Sequence, residues 1–272
     1  MRILGDFMIL SILAPKGGVG SSTTAVLLAR AKAQSGKVLL VDAAEDPSLD
    51  LYTGTAQLVS ESFTGSIPEA EVFARDSSTL SVLRLEPGND EHWKSLEEAL
   101  LLLQDTDVIL DLGVPGNEAV RMISFSDEVT VVLTQDNQVL RAADLLLGDL
   151  RKEGLEASFI VNMLEEKDPA ILGGLEDIFE LIEEDHLGSV RFHHDLRYTM
   201  NTGSFQSLSG EILQEFDELA ARIFGTAVVS DEDVPAGTEE KILRETHEAP
   251  EEERPLSVLE GIRSFFRSFR KG

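Results

Sequence analysis

The chain has 272 residues, 42% of them hydrophobic, enough for one large α/β domain with extensions. Fifty acidic against 23 basic residues give a formal net charge of -27, which repels nucleic-acid phosphates and argues against a nucleic-acid partner. With no cysteine, disulfides, iron–sulfur clusters and thiol nucleophiles are excluded, and no apolar run reaches the ~18 residues of a membrane span.

Phe7 to Ala14 is a nearly unbroken apolar run, the pattern of a parallel strand covered on both faces. Asp6 before it and Pro15-Lys16-Gly17 after it are the flanks of a first strand rather than of a secretory leader, so a cytoplasmic protein is expected. Gly17, Gly18 and Gly20 let the backbone turn sharply, so that successive N–H groups from Gly17 through Val19, Ser21, Ser22 and Thr23 can point at one anion. Ser21 to Ala33 favours a helix whose N-terminus faces that turn, where the dipole and free N–H groups suit a phosphate.

The common phosphate-loop pattern is G-x-x-x-x-G-K-[ST]. Here Pro15 replaces its first glycine and Ser21 its lysine, while Ser22 keeps a hydroxyl able to hold Mg²⁺. Lys16 stands before the glycines instead. Two other readings stay open. Gly18-Val-Gly20-Ser-Ser-Thr23 nearly fits a dinucleotide fingerprint, with Asp42 roughly 20 residues on as the ribose acid, although Thr23 fills the third glycine's place. The glycines can also serve a purely structural turn.

Val38 to Asp42 reads as a second buried strand ending in an acid, followed by Ala43-Ala44. Ser48 to Gly54 suits a helix start, and 55 to 78 suits a short helix with loops. Leu80 to Leu85 alternates as a strand, and Glu91 to Gln104 has helical spacing. Asp107 to Gly113 is an apolar strand carrying Asp111, with Gly113, Pro115 and Gly116 forming the loop after it. Glu128 to Gln135 reads as a strand, Gln138 to Lys152 as a helix and Ser158 to Met163 as a strand ending at Asn162. Leu172 to Ile182 reads as a helix and Ser189 to Phe192 as a short last strand. His193 and His194 offer no metal pair, because adjacent residues on a strand point opposite ways. Leu208 to Ile223 repeats at helical spacing and closes the domain. Strands alternating with helices imply a doubly wound, mostly parallel sheet with helices on both faces.

A lysine directly before Gly-Gly-x-Gly resembles the deviant phosphate loop of the MinD/ParA family, and the motif order over residues 8 to 225 resembles it too. The resemblance implies a P-loop NTPase that binds ATP and Mg²⁺ as a homodimer. Lys16 would reach the partner's nucleotide, Ser22 and Asp111 (on a strand like Walker B) would serve Mg²⁺, and the amide of Asn162 would read the adenine edge. Asp42 occupies the first acid of a catalytic Asp-x-Asp pattern whose second acid is Ala44 here. His193-His194-Asp195 lies near the family's Pro-x-Asp turn. Relatives resembling CpaE/TadZ and BcsQ also lack the lysine at the position of Ser21. Weak or lost hydrolysis is therefore implied, with a catalytically dead scaffold as the alternative.

Composition changes past the first 226 residues. Residues 227–254 read as an acidic disordered linker, with ten acidic and two basic residues between Ser230 and Glu253. Residues 255–272 form a basic amphipathic helix with Val258, Leu259, Ile262, Phe265, Phe266 and Phe269 on one face and Arg263, Arg267, Arg270 and Lys271 on the other. It resembles the membrane-targeting helix of MinD proteins and implies peripheral contact with the inner face of the cell membrane, beside protein partners of a membrane-associated machine. A partner's groove or the protein's own body are the rival seats. The acidity, with arginine exceeding lysine, also suits a halophilic source.

Overall fold

A computed structural model describes residues 7–45, 49, 80–85, 93, 94, 96, 97, 100, 105–116, 119–165, 174–202 and 208–225. The readings over 55–78, 227–254 and 255–272 lie outside the described residues, as does all of Ser48 to Gly54 except Leu49.

Seven parallel strands form one sheet: β1 (Ile9–Leu13), β2 (Lys37–Asp42), β3 (Leu80–Arg84), β4 (Thr106–Gly113), β5 (Glu128–Leu133), β6 (Ser158–Leu164) and β7 (Asp185–Arg191), in the order β3-β2-β4-β1-β5-β6-β7. β1 lies between β4 and β5, and all five of its residues are buried, which is why it carries so apolar a sequence. The helices are α1 (Ser21–Lys32), α2 (Ala119–Ile123), α3 (Asn137–Lys152), α4 (Leu175–Leu181), α5 (His194–Thr202) and α6 (Gly210–Ile223). Residues 93, 94, 96, 97 and 100 are also helical, and Trp93, Leu96 and Leu100 turn into the core. The chain leaves β1 towards β2 on one side and returns through β4 to run towards β7 on the other. Right-handed crossovers then put α1 and α3 on opposite faces. α6 packs on α1 and β7.

Local chemistry starts the longer helices. The Asp136 carboxylate accepts the N–H groups of Gln138 (2.7 Å) and Val139 (3.2 Å) to cap α3, and Ser209 caps α6 through Ile212. The edge of the sheet where strands begin is closed by carboxylates. Asp107 accepts Met8 N–H at 2.8 Å and pairs with Lys32 at 3.2 Å, and Asp127 accepts Ile9 N–H at 2.8 Å.

Three elements depart from the sequence reading. β7 begins four residues early, at Asp185 rather than Ser189. Its first half hides from an apolar pattern because a histidine and a glycine do the packing. His186 stacks on Phe159 (5.2 Å) and Phe179 (4.8 Å), and a Cβ on Gly188 would stand 2.9 Å from Leu219 Cδ1. His193 and His194 do not lie on a strand: β7 ends at Arg191 and α5 starts at His194, with Asp195 favourable in its first turn and Leu196 and Thr199 buried on one face. α2 is a short helix that the sequence does not announce; it buries Ala119, Met122 and Ile123.

Candidate functional site

The residues expected to serve phosphate, Mg²⁺ and base collect at the carboxyl ends of β1, β4 and β6, the edge where open α/β sheets bind ligands. β1 runs into the turn at 14–20. Its start is tied to the end of β4, because Ala14 N–H donates to Gly113 O at 2.8 Å. Gly18 (φ 86) and Gly20 (φ 84) adopt left-handed conformations that other residues rarely take. Gly20 is also the N-cap of α1, and its carbonyl accepts Thr24 N–H at 2.9 Å.

α1 differs from α3 and α6 in that no side chain caps it, and unlike α6 it has no acid in its first turn. Its first amides are left for an external anion. Lys16, Gly17 and Gly18 are exposed at the turn, Ser22 and Thr23 are half-buried, and Val19 and Ser21 are buried. Ser21, at the usual lysine position, is thus a small side chain folded inward.

Asp111 lies on β4 beside β1, 0% exposed. Its Oδ1 accepts Gly113 N–H at 3.3 Å, whereas its buried Oδ2 has no hydrogen-bond partner. Burial pushes its proton affinity up, so that it titrates at about 7. The Ser22 hydroxyl works against this shift, and the Asp42 carboxylate adds to it. Asp42 is the register partner of Asp111 on β2; it is fully buried, and its Oδ2 accepts Leu49 N–H at 2.9 Å. Two buried acids side by side make a place where a cation would be stabilised. Ser22 lies at the same place, so the donor set of hydroxyl and carboxylate oxygens suits Mg²⁺. Asp42 is fully buried against Asp111 with Oδ2 on the chain's own backbone, a setting that does not suit a ribose and weakens the dinucleotide reading.

Lys16 Nζ donates to Gln138 Oε1 at 2.9 Å, in the first turn of α3. Asn162 is 3% exposed, and its Nδ2 donates to Val19 O at 2.8 Å. Met163, the next residue, has φ 55, rare for a side-chain-bearing residue, and reaches over Gly20. Glu45 lies against Gly116 in the loop after β4, where a Cβ would stand 2.5 Å from its Oε1. Gln138 was not foreseen, and neither was buried Gln135, whose Oε1 accepts Glu165 N–H at 2.8 Å. Both are ordinary polar residues at strand and helix ends whose partners are distant in sequence.

No family model matches the sequence, and no curated protein matches it at a significant level. Solved structures do. The MinC:MinD cell division protein complex of Aquifex aeolicus aligns at TM-score 0.67 and 24% identity, over 81% of this chain and 97% of that one. The septum site-determining protein MinD of Pyrococcus horikoshii OT3, complexed with Mg-ADP, aligns at TM-score 0.63 and 20% identity, over 80% and 96%. A putative plasmid partition protein of Borrelia burgdorferi B31 bound to AMPPNP aligns at TM-score 0.62 and 20% identity, over 81% and 100%. The chain has the MinD/ParA-type P-loop NTPase fold.

Proposed function

We propose that the chain binds ATP with Mg²⁺ and dimerises to position or recruit other machinery at a membrane, with weak or lost ATP hydrolysis. The observation that carries the reading is the buried, half-satisfied Asp111 beside Ser22, one strand from a glycine turn that leads into an uncapped helix. A carboxylate is kept dry and short of partners at this edge only at a cost, and a bound cation would offset that cost. The solved structures with this fold include complexes with Mg-ADP and AMPPNP, and proteins of cell division and plasmid partition.

On this reading the backbone amides from Gly17 to Thr23 hold the phosphates. Ser22 and Asp111 hold Mg²⁺, which when bound neutralises charge on the phosphate oxygens. Lys16, exposed and tethered only to a neutral glutamine, is available to a partner's nucleotide across a dimer. Ser21 in place of lysine forgoes a charge-assisted contact of about 1.5–3 kcal/mol, a ~10–150-fold weaker grip. Ala44 supplies no water-positioning acid. The chain thus lacks two groups that drive turnover while keeping those that bind, and those same two losses favour the second reading, a scaffold that works without ATP turnover.

The tail carries the membrane part. Four basic residues contribute about 1 kcal/mol each near anionic lipid, and the apolar face adds partial burial. One copy binds marginally, and two copies on a dimer gain by avidity.

Calorimetry with Mg·ATP, paired with a phosphate-release assay at several salt concentrations, tests the reading. Saturable binding with little or no release is expected; absence of binding at every salt concentration would leave only the scaffold. Anionic vesicles should pellet the full chain but not a form ending at residue 254, and equal pelleting would remove the membrane claim.

A further inference from the structure

One surface of the body, away from the nucleotide edge, has the chemistry to seat the tail. We infer that residues 255–272 fold back onto the outer surface of α3 and α4, so that the same apolar face cannot be on the body and in a lipid surface at once. The inference rests on the reading above for the tail's amphipathic helix, and it adds a control on the membrane contact.

The surface is apolar and acidic together. β5 to β6 and β6 to β7 are successive right-handed crossovers in one direction, so α3 and α4 lie side by side on one face of the sheet. Arg151 at the end of α3 pairs with Glu183 and Glu184 just past the end of α4. Among the large apolar side chains left exposed, Val114 and Met163 belong to the nucleotide edge, whereas Leu145 (61%), Phe179 (39%) and Leu181 (42%) stand on these two helices. Six carboxylates and no lysine or arginine lie between Gly174 and Asp185. Glu176, Asp177 and Glu180 are exposed, and none of them has an ion pair among the described residues. The tail is the complement: six large apolar residues on one face, with Arg263, Arg267, Arg270 and Lys271 on the other. An apolar face rimmed by acids suits an amphipathic helix rimmed by bases.

The tail can reach this surface. α6 ends beside Lys32, whose ammonium lies 5.2 Å from the centre of the Phe224 ring and pairs with Asp107 at the start of β4. α4 leads into the start of β7, so its end lies along the same edge of the sheet. From β4 to β7 is four strand spacings, about 20 Å. The 28 residues from 227 to 254 span roughly 30 Å as a flexible coil, and their like charges extend them further. A seat on the same chain is then met at an effective concentration in the millimolar range, where contacts too weak to hold a separate peptide suffice. A single tail binds lipid only marginally, so the seat competes with the membrane in a monomer. Two tails on a dimer bind lipid by avidity and leave it.

Hydrogen–deuterium exchange of the full chain without lipid reads the seat. Amides of 255–272 should exchange about tenfold or more slowly than in the isolated 255–272 peptide, at every protein concentration. Exchange as fast as in the peptide would overturn the inference. So would protection that disappears on dilution, which would place the tail on a second copy. Glu176→Lys with Glu180→Lys, both on the exposed surface, should strip the protection and increase pelleting with anionic vesicles; unchanged protection would put the tail elsewhere. Arg263→Glu with Arg267→Glu should strip it too, and the four changes together should bring it back, a rescue that no general loss of folding produces. A fourfold variant that stays unprotected would overturn the charge match. The membrane reading fails separately: a tail protected without lipid in a chain that never pellets with vesicles, as wild type or as the lysine variant, keeps the seat and removes the membrane.

Discussion

Asp107 and Asp111 lie four residues apart on the same strand and meet opposite fates. Asp107, where the strand begins, has both oxygens engaged: one accepts Met8 N–H and the other pairs with Lys32, whose ammonium also lies 5.2 Å from the centre of the Phe224 ring. Asp111, where the strand ends, is buried with Oδ2 unpartnered and its proton held up to about 7. The difference is one of supply. At the first edge the chain provides every donor the carboxylates need, so that edge is finished on folding. At the second, Oδ2 of Asp111 is left without a donor, and on the reading proposed above a bound cation would complete that edge.

The sharpest way to break this contrast is Asp107→Ala. It strands the Lys32 ammonium in a site where both side chains are only 12% exposed and frees the N–H of Met8. We expect a loss of about 3 kcal/mol in urea unfolding, since removing one partner of a largely buried pair costs more than the pair contributes. A loss below about 1 kcal/mol would mean that the starting edge is no more committed than the other.

A smaller effect comes from His186, which belongs to the finished part of the molecule. Burial first, and the charge of Arg222 after it, lower its proton affinity to about 4, while the Gly188 backbone opposes the shift; Nε2 lies 3.0 Å from Ser189 Oγ. Its folded value lies below the unfolded value, so between pH 6.5 and about 4 the unfolded chain binds the proton and the folded one does not. Stability conferred by the neutral ring is therefore complete above 6.5 and is lost as pH falls towards 4. Partial exposure reduces the amount to about 2 kcal/mol. Asp217 and Glu128 have raised values, and their contributions run the opposite way. Denaturation of His186→Phe against wild type at pH 7 and pH 4.5 isolates the ring: the two proteins should diverge at acid pH in favour of the variant.

These residues also show what a sequence can tell. Five buried residues in a row make β1 legible, and so do three glycines followed by hydroxyl residues, because strand burial and turn geometry are local. Asp111 was legible as a strand-end acid, and the parallel sheet follows from the alternation of strands and helices. β7 was not, because His186 and Gly188 do the work of apolar side chains only once Phe159, Phe179 and Leu219 surround them. The Lys16–Gln138 and Asn162–Val19 bonds join residues 122 and 143 apart. Periodicity says nothing about such distances; only the folded sheet brings its strand ends together.

The mildest effect on stability falls on the other aspartate. Asp111→Asn keeps an acceptor for Gly113 N–H and removes a charge that burial and Asp42 both disfavour. In Mg²⁺-free buffer we expect the variant to match or exceed the wild type, by up to about 1 kcal/mol in urea unfolding. Mg·ATP should raise the melting temperature of the wild type, and this gain should disappear in the variant. A mutation that costs nothing in folding yet abolishes stabilisation by ligand is the signature of a group held for something outside the chain. Should Asp111→Asn instead destabilise the apo protein as strongly as Asp107→Ala does, both carboxylates would be structural and the two edges of the sheet would be alike.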